Sequence, residues 1–166
     1  MVERTVAPGR VRVDTTGLLT RRHRLVQEDR LVGELRLDLT TTYTDASGRQ
    51  VRIERPSPWR RAVELWDGTQ VRASARWRPL EARIAIRMDD TLFWLQRVDG
   101  PAWSWELVLE DRPLLTIRRT GWDRAEIVVH APVEGDLLAF SYYLAVIRPI
   151  AFPLCSQCAL WSKKAR

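Results

Sequence analysis

Cys155 and Cys158 stand two residues apart, the one spacing in this chain that suits a metal. Two thiolates so placed can grip one zinc ion, but a structural zinc site takes four ligands. No second cysteine pair exists, so the remaining ligands would have to be His23 and His130, brought from distant positions. The same CxxC can serve redox chemistry when it opens a helix that lowers the thiol pKa. No strand–helix–strand context surrounds it, and two free thiols in a tail is the reading expected. No metal and no cofactor is expected. A nucleophilic triad needs Ser or Cys, His and a carboxylate converging. No GxSxG elbow, P-loop or GxGxxG occurs, and His130 closes the apolar run Ile127-Val-Val-His, as a structural residue would. The acidic pairs Asp89/Asp90 and Glu110/Asp111 fall at turn signals and read as solvated turns.

Arginine supplies the other chemistry. The chain carries net charge +6, and 25 of its 27 basic residues are arginine, with lysine only at 163 and 164. Guanidinium groups bind phosphate through paired hydrogen bonds. If Arg72, Arg76, Arg83 and Arg87 face outward on adjacent strands, they form one cationic patch for phosphate-bearing partners. Trp59 and Trp66, near Arg60 and Arg61, suit a lipid interface or base stacking, or simply packing.

These side chains need a scaffold. A 166-residue chain suits one domain burying about two-thirds of its unfolded surface. Eight tryptophans favour a well-filled core. From about residue 20 to 131, short strand-like runs alternate with turn signals such as Asp67-Gly68, Asp89-Asp90 and Asp111-Arg-Pro113. That spacing predicts an all-β barrel or sandwich. Period-two alternation places Val71, Ala73, Ala75 and Trp77 on one face. It does the same for Ala82, Ile84, Ile86 and Met88, for Trp103, Trp105, Leu107 and Leu109, and for Leu31, Leu35 and Leu37. Hairpins are expected at Asp67-Gly68 and Asp89-Asp90.

After Gly135 the pattern changes to GDLLAFSYYLAVIRPIAFPL. Asp136 can cap a helix and Pro149 can stop it. The helix is apolar all round, so it is buried in protein or in lipid. A bilayer span needs about 20 apolar residues, whereas Arg148 and two prolines interrupt this run early. A buried core helix is therefore expected, with membrane insertion or a partner-binding helix as alternatives.

Many antiparallel strands followed by one very apolar helix resemble the Tubby C-terminal-like superfamily, which includes the phospholipid scramblases and LURP-one-related proteins. Residues 24–38 (RLVQEDRLVGELRLD), 64–98 and 105–150 carry the likeness. The resemblance implies a mostly β fold: a closed antiparallel barrel of about 10–12 short strands around a buried C-terminal helix. The division expected is an N-terminal arm at 1–19 with one short strand near 10–14, a barrel at 20–153 with its helix near 136–148, and a basic tail at 154–166. Lipid contact is a family-level implication, and no ligand residue carries over. Scramblases have Cys-rich and calcium-associated segments that this chain lacks, which puts scrambling in doubt. The N-terminus has no apolar signal run, so a cytoplasmic setting is expected, peripheral to a membrane. The functional expectation is a non-enzymatic binding or scaffold domain contacting anionic phospholipid headgroups. The alternatives are a nucleic-acid-binding barrel, an enzyme with its site at a barrel mouth, and a C-terminally membrane-anchored protein.

Overall fold

The computed structural model describes residues 5–17, 21–56, 62–78, 81, 83–99, 103–121 and 124–147. Twelve antiparallel strands close into a barrel. In chain order they are β2 (Gly9–Thr16), β3 (Arg21–Gln27), β4 (Arg30–Leu37), β5 (Thr41–Asp45), β6 (Gln50–Glu54), β7 (Ala62–Asp67), β8 (Gln70–Arg78), β9 (Arg83–Met88), β10 (Thr91–Val98), β11 (Ser104–Leu109), β12 (Arg112–Arg119) and β13 (Arg124–Val129). Each strand pairs with its neighbours in sequence, and β13 pairs with β2 to shut the cylinder, with Ile127 opposite Val11. Closure leaves no sheet edge exposed, the usual liability of a long antiparallel sheet. The N-terminal segment is thus more than an arm with one short strand, because residues 9–16 form a full barrel stave.

Two short strands, β1 (Thr5–Val6) and β14 (Val133–Glu134), pair across one end of the barrel. From there α1 (Gly135–Tyr142) enters the lumen and continues as a wider π-helical turn over Tyr143–Ile147. Every residue of α1 is buried. An all-round apolar helix needs walls on every side, and the inward rows of the barrel supply them. Leu25, Leu35, Leu65, Ile84, Ile86, Leu107 and Ile117 are fully covered, as are Phe140 and Leu144 from the helix. The buried-helix expectation holds. No described helix is long and apolar enough to cross a membrane.

Three bulges correct the simple alternation. Val32, Arg72 and Leu114 are each an extra residue, since Val26 pairs with Leu31, Trp66 with Val71 and Val108 with Pro113. A bulge puts the residues on its two sides out of phase, so those before it switch face relative to those after it. Leu31 and Val71, expected inside, are therefore 38% and 45% exposed. Each bulged carbonyl is taken by a donor outside its ladder: Val32 O by Ala46 N–H, Arg72 O by Asp89 N–H, and Leu114 O by the N–H groups of His130 and Ala131. Backbone polar groups stay paired, so the bulges are stable features of the sheet.

Asp136 also differs from expectation. The helix begins after Glu134, and no side chain caps it. Asp136 lies in the first turn, where its carboxylate is drawn to two guanidiniums instead.

Candidate functional site

The outward face of β8 and β9 carries Arg76, Arg78, Arg83 and Arg87. Register places Arg78 opposite Arg83, Arg76 opposite Ala85, and Ser74 opposite Arg87. Opposed residues in an antiparallel pair hold their Cβ atoms about 5 Å apart, and like charges there repel. The fold therefore keeps an unfavourable Arg78–Arg83 juxtaposition, which one phosphate could bridge. Arg76, Arg78 and Arg87 are exposed. Arg83 is partly covered: its Nη2 lies 2.7 Å from Glu81 Oε2, and its guanidinium sits 3.7 Å from the centroid of the Trp94 ring on β10. Such stacking holds the guanidinium plane without satisfying its donors. Arg97 stacks in the same way on Trp103, at 4.5 Å.

Arg72 is not part of this field. Its bulge turns it to the barrel mouth, where it pairs with Glu134 and Asp136. Arg49 Nη1 reaches the same Asp136 Oδ2 at 2.8 Å, and its Nη2 pairs with Asp67. Asp136 has a side chain only 6% exposed, so this network stands almost wholly out of water at its centre. Burial pulls Arg49 down, but the carboxylates of Asp67 and Asp136 outweigh it and hold the group above its ordinary value. The network anchors the start of the helix to β8 and to the loop between β5 and β6.

A second polar anchor lies deeper. His23 on β3 faces inward, with Nδ1 2.9 Å from Tyr142 Oη on α1 and 3.2 Å from Thr15 Oγ1 on β2. Burial lowers the His23 pKa, and the nearby Arg21 lowers it further. Its Nε2 is buried without a protein partner, as are Ser141 Oγ and Trp105 Nε1. Burial also raises the Tyr142 phenol, so it remains a protonated donor at neutral pH. The sequence carried a signal for this site: alternation over 21–27 puts His23 in phase with Leu25, on the inner face.

The other sequence candidates do not converge. His130 is exposed, its Nε2 2.8 Å from Thr116 Oγ1. Asp89/Asp90 and Glu110/Asp111 form two-residue turns between paired strands. Trp66 faces outward on β7 and is partly buried, with its indole N–H covered. Cys155, Cys158, Trp59, Arg60, Arg61, Arg148, Lys163 and Lys164 lie outside the described residues. Among the described residues no group of three or more His, Cys, Asp or Glu is placed to hold a metal ion.

A depression of about 550 Å³ lies over the outside of β13, β2 and β3. Four of its charges pair off, with Arg10 3.3 Å from Glu126 and Arg12 3.0 Å from Asp14. A smaller one of about 270 Å³ lies at the helix-entry mouth, against Tyr43, Asp45 and Asp136. Tyr43 is raised by burial, then by Asp136 and Asp45, so its phenol holds its proton and makes no base there.

The fold and this surface define a helix-filled, closed β-barrel with an outward arginine field. Comparison with protein-family models, curated proteins and solved structures gives no match.

Proposed function

We propose that the protein is a Tubby-like, non-enzymatic binding or scaffold domain that contacts anionic phospholipid headgroups through arginines on its outer wall. The observation that carries this reading is the set Arg76, Arg78, Arg83 and Arg87 on adjacent staves, with Arg78 and Arg83 opposed. A helix occupies the lumen, so recognition falls to the outside of the barrel. Each arginine near an anionic bilayer contributes about 1 kcal/mol. Three or four acting together give selective, salt-sensitive attachment, since screening shortens their reach. The mechanism is positional: guanidinium forks pair with phosphate oxygens while the barrel stays rigid.

Vesicle co-sedimentation tests the proposal. Vesicles containing phosphatidylserine should retain the protein at low salt and release it as salt rises, while phosphatidylcholine alone should not retain it. Arg76→Gln with Arg78→Gln should weaken retention by roughly tenfold or more. Equal and poor retention on both lipids would sink the reading, and retention on an oligonucleotide alone would favour nucleic acid.

A further inference from the structure

We infer that the barrel meets an anionic phospholipid surface end-on, with the rim opposite the helix entry facing the lipid and Leu39 inserted among the headgroups. This rests on the lipid reading above and adds the orientation and an apolar contact. Up-and-down topology puts alternate turns at opposite ends. The turns Glu28-Asp29, Asp89-Asp90 and Glu110-Asp111 share one end with Gly135, where the helix enters, as do Asp67 and Glu134. With Asp45 and Asp136 these acids outnumber the arginines of that end, Arg10, Arg30, Arg49, Arg72, Arg87 and Arg112, so it is acidic on balance and would be repelled by a negative surface. The other end carries Arg21, Arg22, Arg36, Arg55, Arg78 and Arg83 at or next to strand termini. It adds Arg97, Arg118, Arg119 and Arg124, against Asp14, Asp38, Glu54, Glu81 and Asp99. The charge of the barrel is therefore divided along its axis, and the basic pole is the one a negative bilayer attracts.

Leu39 sits at that pole, in the turn between β4 and β5, and it is 103% exposed. Its backbone N–H donates to Asp38 Oδ1 at 2.8 Å, which fixes the turn that presents it. Two depressions border it. One joins it to Arg55 and to Tyr143, near the far end of the helix. The other joins it to Arg22 and Arg36, which oppose each other directly across β3 and β4. A single exposed leucine is ordinary on a protein surface. Asp38, Glu54 and Glu34 line the same depressions, so the attraction comes from the net positive pole as a whole, and an aliphatic tip at such a pole is what an anionic bilayer rewards, since it offers hydrocarbon beneath phosphate. Nucleic acid offers no such layer. Of the other exposed large apolar side chains, Leu31, Val71 and Leu92 lie toward the acidic end and Val98 ends β10 at the basic pole; each is less than half exposed.

The test uses the full chain and vesicles of phosphatidylcholine with about one-third phosphatidylserine. Leu39→Asp should reduce retention at least about tenfold. Leu31→Asp, at the acidic end and away from the arginine field, should leave retention unchanged. Both side chains are exposed, and unchanged thermal melting would establish that both variants fold. Equal retention of Leu39→Asp and the unaltered chain would overturn the orientation while leaving the lipid reading intact. A larger loss from Leu31→Asp than from Leu39→Asp would reverse the assigned pole. Failure of the unaltered chain to bind these vesicles would overturn both proposals.

Discussion

Replacing Asp136 by alanine should loosen the whole barrel from one atom group at its mouth. Asp136 is the shared carboxylate of Arg49 and Arg72, which belong to segments 87 and 64 residues away in sequence. Removing one partner from a buried ion pair costs about 3–5 kcal/mol, mostly because a charge is stranded out of water. Here both guanidiniums keep a second partner. Those partners, Asp67 and Glu134, have side chains 44% and 45% exposed. Exposed pairs contribute little, so the relief is partial and the net loss should be about 2–3 kcal/mol. For a domain of this length each kcal/mol lowers Tm by about 2–4 °C, which gives a fall of about 4–12 °C. Thermal denaturation followed by far-ultraviolet circular dichroism measures it. Asp136→Asn keeps an acceptor and should lose about half as much. A double-mutant cycle with Arg72→Met should return a coupling above about 1 kcal/mol. An Asp136→Ala variant melting with the unaltered chain, or a cycle with no coupling, would refute the claim that this network ties the helix to the wall.

Two other perturbations act within the lumen. Burial and Arg21 depress the pKa of His23 below its ordinary 6.5, so the unfolded chain binds more protons than the folded one as pH falls through that value. Stability should be level above about pH 7 and fall as pH drops below 6.5, and His23→Gln should flatten the fall; urea midpoints across pH decide this. Gly33→Ala would place a Cβ within 2.6 Å of Cζ in the buried ring of Tyr43. Overpacking of that kind should cost about 1–3 kcal/mol, and Tyr43→Leu in the same chain should recover part of it; a variant as stable as the parent in urea would count against the packing described.

The alternation that marks β8, β9 and β11 was legible because one face is packed and the other wet. Ala73, Ala75, Ile84, Ile86, Trp105 and Leu107 are buried as the pattern requires. Ala82 lies outside the described residues. Leu37, Trp77, Trp103 and Leu109, near strand ends, are only partly buried. The bulges were not legible, since nothing in the residue types at Val32, Arg72 or Leu114 marks the slip. Arg72 suffers most from this: one extra residue moves it from an expected outer patch into the mouth network. The turns were half-legible. Asp67-Gly68 supplies a glycine at φ +57°, but Glu28-Asp29 and Glu110-Asp111 adopt positive φ without one. Such conformations are strained for residues with a Cβ; Asp29 and Asp111 tolerate them through their short polar side chains, and nothing in the residue type favours them at Glu28 and Glu110. The Asp136 network could not be read at all, because its members meet only when the cylinder closes.

The protein's own strands enclose the apolar stretch after Gly135. Leu144 reports on it most directly, being fully buried where the helix passes through the barrel. A carboxylate placed there has no partner and no water, a state too costly for a domain of ordinary stability. Leu144→Asp should yield a chain without a cooperative thermal transition. A soluble variant that melts like the parent would show that the helix lies elsewhere.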